Sequence, residues 1–198
     1  NVTSYESDVN GRITKITYAD GATETYRYDH LSRLTETVDE LGAVTTYTYD
    51  GNGNVTKILQ TGAEDLTREY IYTYDARNLR TEGTDTLGNT VHYTYDACGS
   101  LTGVTDGRGG TTAYTYDKEG RVLTVTAPEG DTLKNTYDAI GQLTAQTDAL
   151  GNVTTYSYDR ISRLQTVTDA LKGETGYTYD ADSNLTLTKD PLGNAHAY

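Results

Sequence analysis

The residues with the greatest chemical reach in this 198-residue chain are one cysteine, three histidines, a surplus of carboxylates and nineteen tyrosines. A Cys–His nucleophile needs its cysteine, its histidine and an orienting group to converge. Cys98 and His92 lie six residues apart, but no third member accompanies them, and His30, His92 and His196 recur at no common position. The sequence therefore gives no catalytic residue, and Cys98 reads as an incidental small side chain. The carboxylates raise the question of calcium. Two recurring columns, Asp29, Asp50, Asp75, Asp96 and Asp39, Asp85, Asp106, Asp148, could act as acidic turn ladders. Calcium takes several oxygens converging on one loop. Each loop here offers a single reliable carboxylate with variable neighbours, so turn capping is the preferred reading, with no metal and no cofactor. The tyrosines could stack on sugars, but with no Phe or Trp in the chain they are needed first for packing, their hydroxyls finding partners at the rim.

What positions these residues is a repeat. Tyr-Asp pairs stand at Tyr28-Asp29, Tyr49-Asp50, Tyr74-Asp75, Tyr95-Asp96, Tyr116-Asp117, Tyr137-Asp138, Tyr158-Asp159 and Tyr179-Asp180. The interval is 21 residues throughout, except for 25 between Tyr49 and Tyr74. Ser7-Asp8 is a degenerate first copy, and the surplus is placed in Gln60 to Glu69, where TGAEDLTRE replaces the usual turn. A second tyrosine stands two residues before each pair: Tyr5, Tyr26, Tyr47, Tyr72, Tyr93, Tyr114, Tyr156, Tyr177 and Tyr198, with Asn135 the exception. Residues two apart on a strand share a face, so Y-x-Y predicts a tyrosine ladder on one side of a sheet.

The turns repeat as well. D-x-x-G follows the tyrosine pair at Asp50, Asp96, Asp117 and Asp138, and recurs about ten residues later at Asp39, Asp85, Asp106, Asp148 and Asp190. Asp at the first position of a type I turn accepts backbone N–H bonds, and a fourth residue with positive φ closes the hairpin. Gly42, Gly88, Gly109, Gly130, Gly151 and Gly193 fill that fourth position, while Ser32, Asn78, Ser162, Ser183 and Lys172 are its substitutes. Between turns lie short runs of Thr, Val, Leu and Tyr such as Leu34–Val38 and Val44–Tyr49, suited to strands. Each copy is thus two antiparallel strands and two turns, marginal alone and stabilised by stacking.

Composition sets the outer limits. The net charge of -13 disfavours nucleic acid and anionic membrane as partners. No apolar stretch approaches the roughly 18 residues of a membrane span. One cysteine gives no internal disulfide. The sequons at Asn54, Asn152 and Asn184 follow from the Gly-Asn-x-Thr turn chemistry and its variants.

The consensus YDxxGRLTxxTDxLGNxTxYT, best seen from Tyr95 to Thr115 and from Tyr137 to Ser157, resembles the YD repeat of the Rhs family. The resemblance covers the whole chain. It implies an all-β fold in which tandem 21-residue hairpins form one long, twisted antiparallel sheet, a section of a spiralling β-shell. Residues 1–198 are read as a single YD-repeat array of about nine copies, truncated at both ends, with the longer copy at 49–73. The resemblance further implies a non-catalytic wall segment of a shell that encapsulates a C-terminal toxin or effector of the same polypeptide, secreted or at the cell surface. The alternative is a surface protein binding carbohydrate or another cell-surface partner. Open strand edges also suggest edge-to-edge self-association of the chain. Shells of this family end in a DPxGL motif linked to autoproteolysis. Asp190-Pro191-Leu192-Gly193 resembles it, but Asn194 stands where Leu is expected and the segment sits in the ordinary second-turn register. It is read as a turn with Pro at its second position, and no cleavage site is carried over.

Overall fold

The computed structural model describes residues 2–62 and 66–198. The middle of the insertion, Ala63 to Asp65, lies outside the described residues. Nineteen strands are described, antiparallel in every register given within each of two units, with no helix among the described residues. The chain divides into two units, residues 1–95 with 104–109 and residues 96–103 with 110–198. The first unit holds β1 (Ser4–Ser7), β2 (Ile13–Thr17), β3 (Thr23–Tyr28), β4 (Leu34–Val38), β5 (Val44–Tyr49), β6 (Val55–Thr61), β7 (Thr67–Tyr74), β8 (Arg80–Thr84) and β9 (Thr90–Tyr95). Strand β10 (Leu101–Thr105) has residues in each. The second unit holds β11 (Thr111–Tyr116), β12 (Val122–Thr126), β13 (Thr132–Tyr137), β14 (Leu143–Thr147), β15 (Val153–Tyr158), β16 (Leu164–Thr168), β17 (Glu174–Tyr179), β18 (Leu185–Lys189) and β19 (Ala195–Ala197).

Within each unit the strands pair in chain order, each with the next. Every tyrosine-bearing strand ends in a turn built the same way. At Asp117 the backbone N–H donates to the Arg121 carbonyl at 3.0 Å and Gly120 N–H donates to the Asp117 carbonyl at 3.0 Å. The Asp117 carboxylate meanwhile accepts from the N–H groups of Glu119 and Arg121 at 3.0 and 2.9 Å. The opposite rim repeats this at Asp148, with Leu150 and Asn152 as donors at 2.9 and 2.8 Å. The aspartate thus satisfies donors that a bare turn would leave to water. Gly120 and Gly151 take φ of 80° and 86°, and Lys172 is held at 70° where glycine is the norm. Two second turns close without a leading aspartate, at Tyr18 and Ala127, by the same backbone bonds.

In every register described, a tyrosine strand meets the next strand with one bulge. Thr136 pairs with Ala145 and Tyr137 with Leu143, so Thr144 is the extra residue. Thr14, Thr35, Thr56, Thr81 and Thr186 occupy the same place. Threonine suits a bulge because its hydroxyl can serve the disturbed ladder: Thr144 donates to the Thr136 carbonyl at 3.1 Å and Thr186 to that of Thr178 at 3.1 Å. The longer copy lengthens the hairpin, β6 and β7 pairing from Lys57↔Ile71 to Thr61↔Thr67.

No hydrophobic side chain among the described residues is fully buried. The paired tyrosines are half-buried against their neighbours, except Tyr5 on β1 and Tyr198 just after β19, which are 61% and 70% exposed.

Candidate functional site

The groups that recur with fixed geometry gather along the first-turn rim, where one copy meets the next. Ladders such as that between β12 and β13 run only from Thr126↔Thr132 to Thr124↔Lys134. Beyond that point the tyrosine of the Tyr-Asp pair takes over. Tyr28, Tyr49, Tyr74, Tyr95, Tyr116, Tyr137 and Tyr158 donate their hydroxyls to the carbonyls of Ile13, Leu34, Val55, Arg80, Leu101, Val122 and Leu143 at 2.6–3.0 Å. Each bond reaches back to the preceding copy. Asn135, the exception in the other tyrosine column, donates its amide to the same Val122 carbonyl at 3.0 Å and accepts from Gln146 at 3.1 Å.

An arginine completes the seam. Four residues after the turn aspartate, Arg12, Arg33, Arg121 and Arg163 donate Nε to Asp8, Asp29, Asp117 and Asp159 at 2.6–2.7 Å. Their Nη1 groups reach the backbone carbonyls of the next copy's Asp29, Asp50, Asp138 and Asp180 at 2.8–3.4 Å. Each guanidinium also lies over the next tyrosine, Tyr28, Tyr49, Tyr137 or Tyr179, with 4.6–5.0 Å to the ring centroid. One planar cation thus joins a carboxylate, a carbonyl and a ring from two successive copies, which a lysine could not do. Where the arginine is missing, Asn54 and Asn184 bond Asp50 and Asp180 by their amides at 2.8 Å.

The electrostatics follow this geometry. Asp8 is held below the usual carboxylate range, chiefly by the Arg12 side chain, and Asp50 by the Asn54 amide. At Asp117 partial desolvation pushes upward, but the Arg121 backbone N–H and guanidinium outweigh it and the carboxyl is lowered. Desolvation raises the phenols of Tyr49, Tyr74, Tyr116 and Tyr158. Tyr26 is pushed up to about 12 by its hydrogen bond to Glu24.

Family comparison resolves what this motif is. The RHS Repeat model matches residues 8–44, 31–65, 137–173 and 162–195, and the Teneurin YD-shell model matches residues 69–149. The chain belongs to the Rhs/YD-repeat family. Among solved structures, the YD repeats resemble a TcdB2-TccC3 crystal structure at TM-score 0.66 and 16% identity. A TcdB2-TccC3-Cdc42 crystal structure and a Photorhabdus luminescens Tc holotoxin pore each match at TM-score 0.61 and 16% identity. Each match covers 95% of this chain and 12% of the other, so the likeness is one of fold over a small part of those proteins. No curated protein matches the chain.

The other residues singled out in the sequence do not converge. Cys98 is exposed in a first turn. His92 faces Glu82 at 3.2 Å, and the His196 ring packs edge-on against Tyr198 at 4.7 Å. No three His, Cys, Asp or Glu side chains among the described residues gather as a metal-binding group. Gly42, Gly88, Gly109, Gly130, Gly151 and Gly193 all adopt positive φ, from 82° to 96°. The arginine of the seam was missed as a functional element, although D-x-x-[GS]-R recurs at Asp8, Asp29, Asp117 and Asp159 and was there to be read.

Proposed function

We propose that this chain is one repeat array, a section of wall in a YD-repeat shell that encloses a toxin or effector carried on the same polypeptide, as part of an exported protein. The role is steric. The Tyr-Asp columns and turn glycines hold the wall together, and no residue performs chemistry. The observation that carries the reading is the seam. Successive copies are tied by a tyrosine hydroxyl at every Tyr-Asp pair but Tyr179 and, in four places, by an arginine shared between copies, so the sheet continues copy after copy without relying on a local core. Likeness in fold to parts of TcdB2-TccC3 and Tc holotoxin structures supports this reading.

The test is protease protection in the full-length gene product. The region following the repeats is expected to resist protease while the sheet is folded and to be cut once it is denatured. Equal cleavage of that region with and without the repeats would overturn the proposal.

A further inference from the structure

The two turn rims of the second unit are built alike but differ in charge and in what they expose. Four residues after its aspartate, the first-turn rim places Arg121 and Arg163, which bond and neutralise Asp117 and Asp159. The second-turn rim places Asn152 and Asn194 there. Their amides bond Asp148 and Asp190 at 2.8 and 2.7 Å and leave the charge standing. Along this rim Glu129, Asp131, Asp148, Asp169, Glu174 and Asp190 stand against only Lys172 and Lys189. None of the six carboxylates is ion-paired among the described residues. The same rim carries leucine at the third position of three successive turns, Leu150, Leu171 and Leu192, which are 88%, 92% and 89% exposed. The turn itself does not require leucine. What the aspartate holds is the backbone N–H, at 2.9, 2.8 and 2.9 Å. Arg108 fills the same position after Asp106 with the same bond at 2.9 Å. A single exposed leucine needs no explanation, but a row repeated copy by copy marks a contact surface. The turns that carry the row adjoin one another: a Cβ on Gly173 would lie 3.1 Å from that of Pro191.

We propose that the second-turn rim of the second unit, from Asp148 to Leu192, docks a cationic, extended polypeptide segment with an apolar side chain at every third residue. Charge selects the partner. Unpaired carboxylates beside the leucines attract Lys and Arg, and they repel a second copy of a chain whose net charge is -13. Spacing selects its conformation. Leucines of successive copies stand two strands apart, roughly 9.6 Å. A polyproline II segment turns once in three residues and rises about 9.3 Å in doing so. Every third side chain therefore meets one leucine, and the two residues between are free to carry the positive charge. An extended segment also follows the twist of a sheet, which a straight helix does not. This inference stands apart from the shell reading, since it concerns what one rim binds and not what a larger protein encloses.

Calorimetric titration of the 198-residue chain with a Leu-Lys-Pro repeat peptide of about twelve residues tests it, with a Ser-Lys-Pro peptide of equal charge as the control. The leucine peptide should bind about tenfold more tightly than the serine peptide, and both should weaken as salt is raised. The variant Leu150→Ser/Leu171→Ser/Leu192→Ser should remove the difference between the peptides. Ile140→Ser/Ile161→Ser, at the exposed positions of the opposite rim, should preserve it. Circular dichroism checks that each variant keeps its strands. Should the leucine variant fail to fold, leucine methyl resonances of the wild-type chain decide. Shifts confined to Leu150, Leu171 and Leu192 on adding the leucine peptide support the proposal, and shifts spread over both rims overturn it. Equal affinity for the two peptides, salt-independent binding, or an equal loss from the isoleucine variant overturns it. So does a wild-type dimer in sedimentation velocity that the leucine substitutions dissociate, which would make a second copy the occupant.

Discussion

Removing a single hydroxyl at the seam isolates what the Tyr-Asp tyrosine contributes. Tyr158→Phe keeps the ring and deletes only the donor to the Leu143 carbonyl, 3.0 Å away. Deleting one partner of such a bond leaves the other unsatisfied, and for a half-buried carbonyl that water can partly reach the cost is about 1 kcal/mol. Tyr116→Phe deletes the equivalent donor to Leu101 at 2.7 Å and should cost the same. The two sites lie four strands, roughly 19 Å, apart and share no partner, so the double variant should lose about 2 kcal/mol. Tyr137→Phe is the discriminating case. The Val122 carbonyl there keeps the Asn135 amide at 3.0 Å, so the loss should be about half as large or less. Tyr114, whose hydroxyl has no hydrogen bond among the described residues, should tolerate Phe. The assay is urea unfolding followed by circular dichroism, with midpoints compared at unchanged slope. Equal losses at Tyr114, Tyr137 and Tyr158 would refute the reasoning, because ring burial and not carbonyl capping would then explain the column.

Three further outcomes follow from the same geometry. Arg121→Lys retains the charge but loses the fork that joins Asp117 to the Asp138 carbonyl and the Tyr137 ring, so the melting temperature should drop by a few degrees; no change would mean the seam arginine is decorative. Gly151→Ala places a Cβ at φ 86° with no atom within 4 Å, so its cost is conformational, about 1–2 kcal/mol, whereas Lys172→Gly at φ 70° should be neutral or stabilising; the reverse order in chemical denaturation would contradict the turn assignment. The turn aspartates, held below their unfolded value, contribute stability above that value and lose it as pH falls through the folded one, so melting temperature should hold from neutrality to about pH 4 and fall steeply below. A fall centred near pH 6 would instead implicate histidine.

Much of this fold was legible because its signals are local. The Asp–Gly spacing of a turn is a property of five residues, and even the substitutes Ser32, Asn78, Ser162, Ser183 and Lys172 could be placed, since each fills a slot that the period defines and each takes φ between 64° and 70°. The seam was less legible because its partners lie a full copy apart. Arg121 contacts Asp138 and Tyr137 at 17 and 16 residues' distance, and nothing in the residues next to it announces that reach. The bulge is similar. Thr144 and Thr186 look like ordinary strand threonines until the register shows two residues facing one. The tyrosine ladder was legible as a face, but its hydroxyl acceptors were not, because the carbonyl each one meets is chosen by where the preceding ladder stops.

The seam also explains how strands with no fully buried side chain among the described residues can hold one register. A strand pair free to slip by one residue would exchange its faces. Here slippage would carry Tyr158 away from the Leu143 carbonyl, Arg163 away from both Asp159 and the Asp180 carbonyl, and the bulge threonine Thr144 away from Thr136. Each of those losses falls on a group shared by two neighbouring copies, so register is fixed pairwise and not by a common core. Coupling of that kind is nearest-neighbour, and it makes the weakest junctions those with fewest shared groups. The Gln142 turn, with no arginine over Tyr158, is therefore expected to open before the Arg121 turn, whose guanidinium lies over Tyr137 and adds to the same kind of tyrosine-hydroxyl bond. Amide hydrogen exchange resolves the two: protection across β14–β15 should be lost at lower denaturant than across β12–β13, and the opposite order would show that the arginine seam does not set local stability.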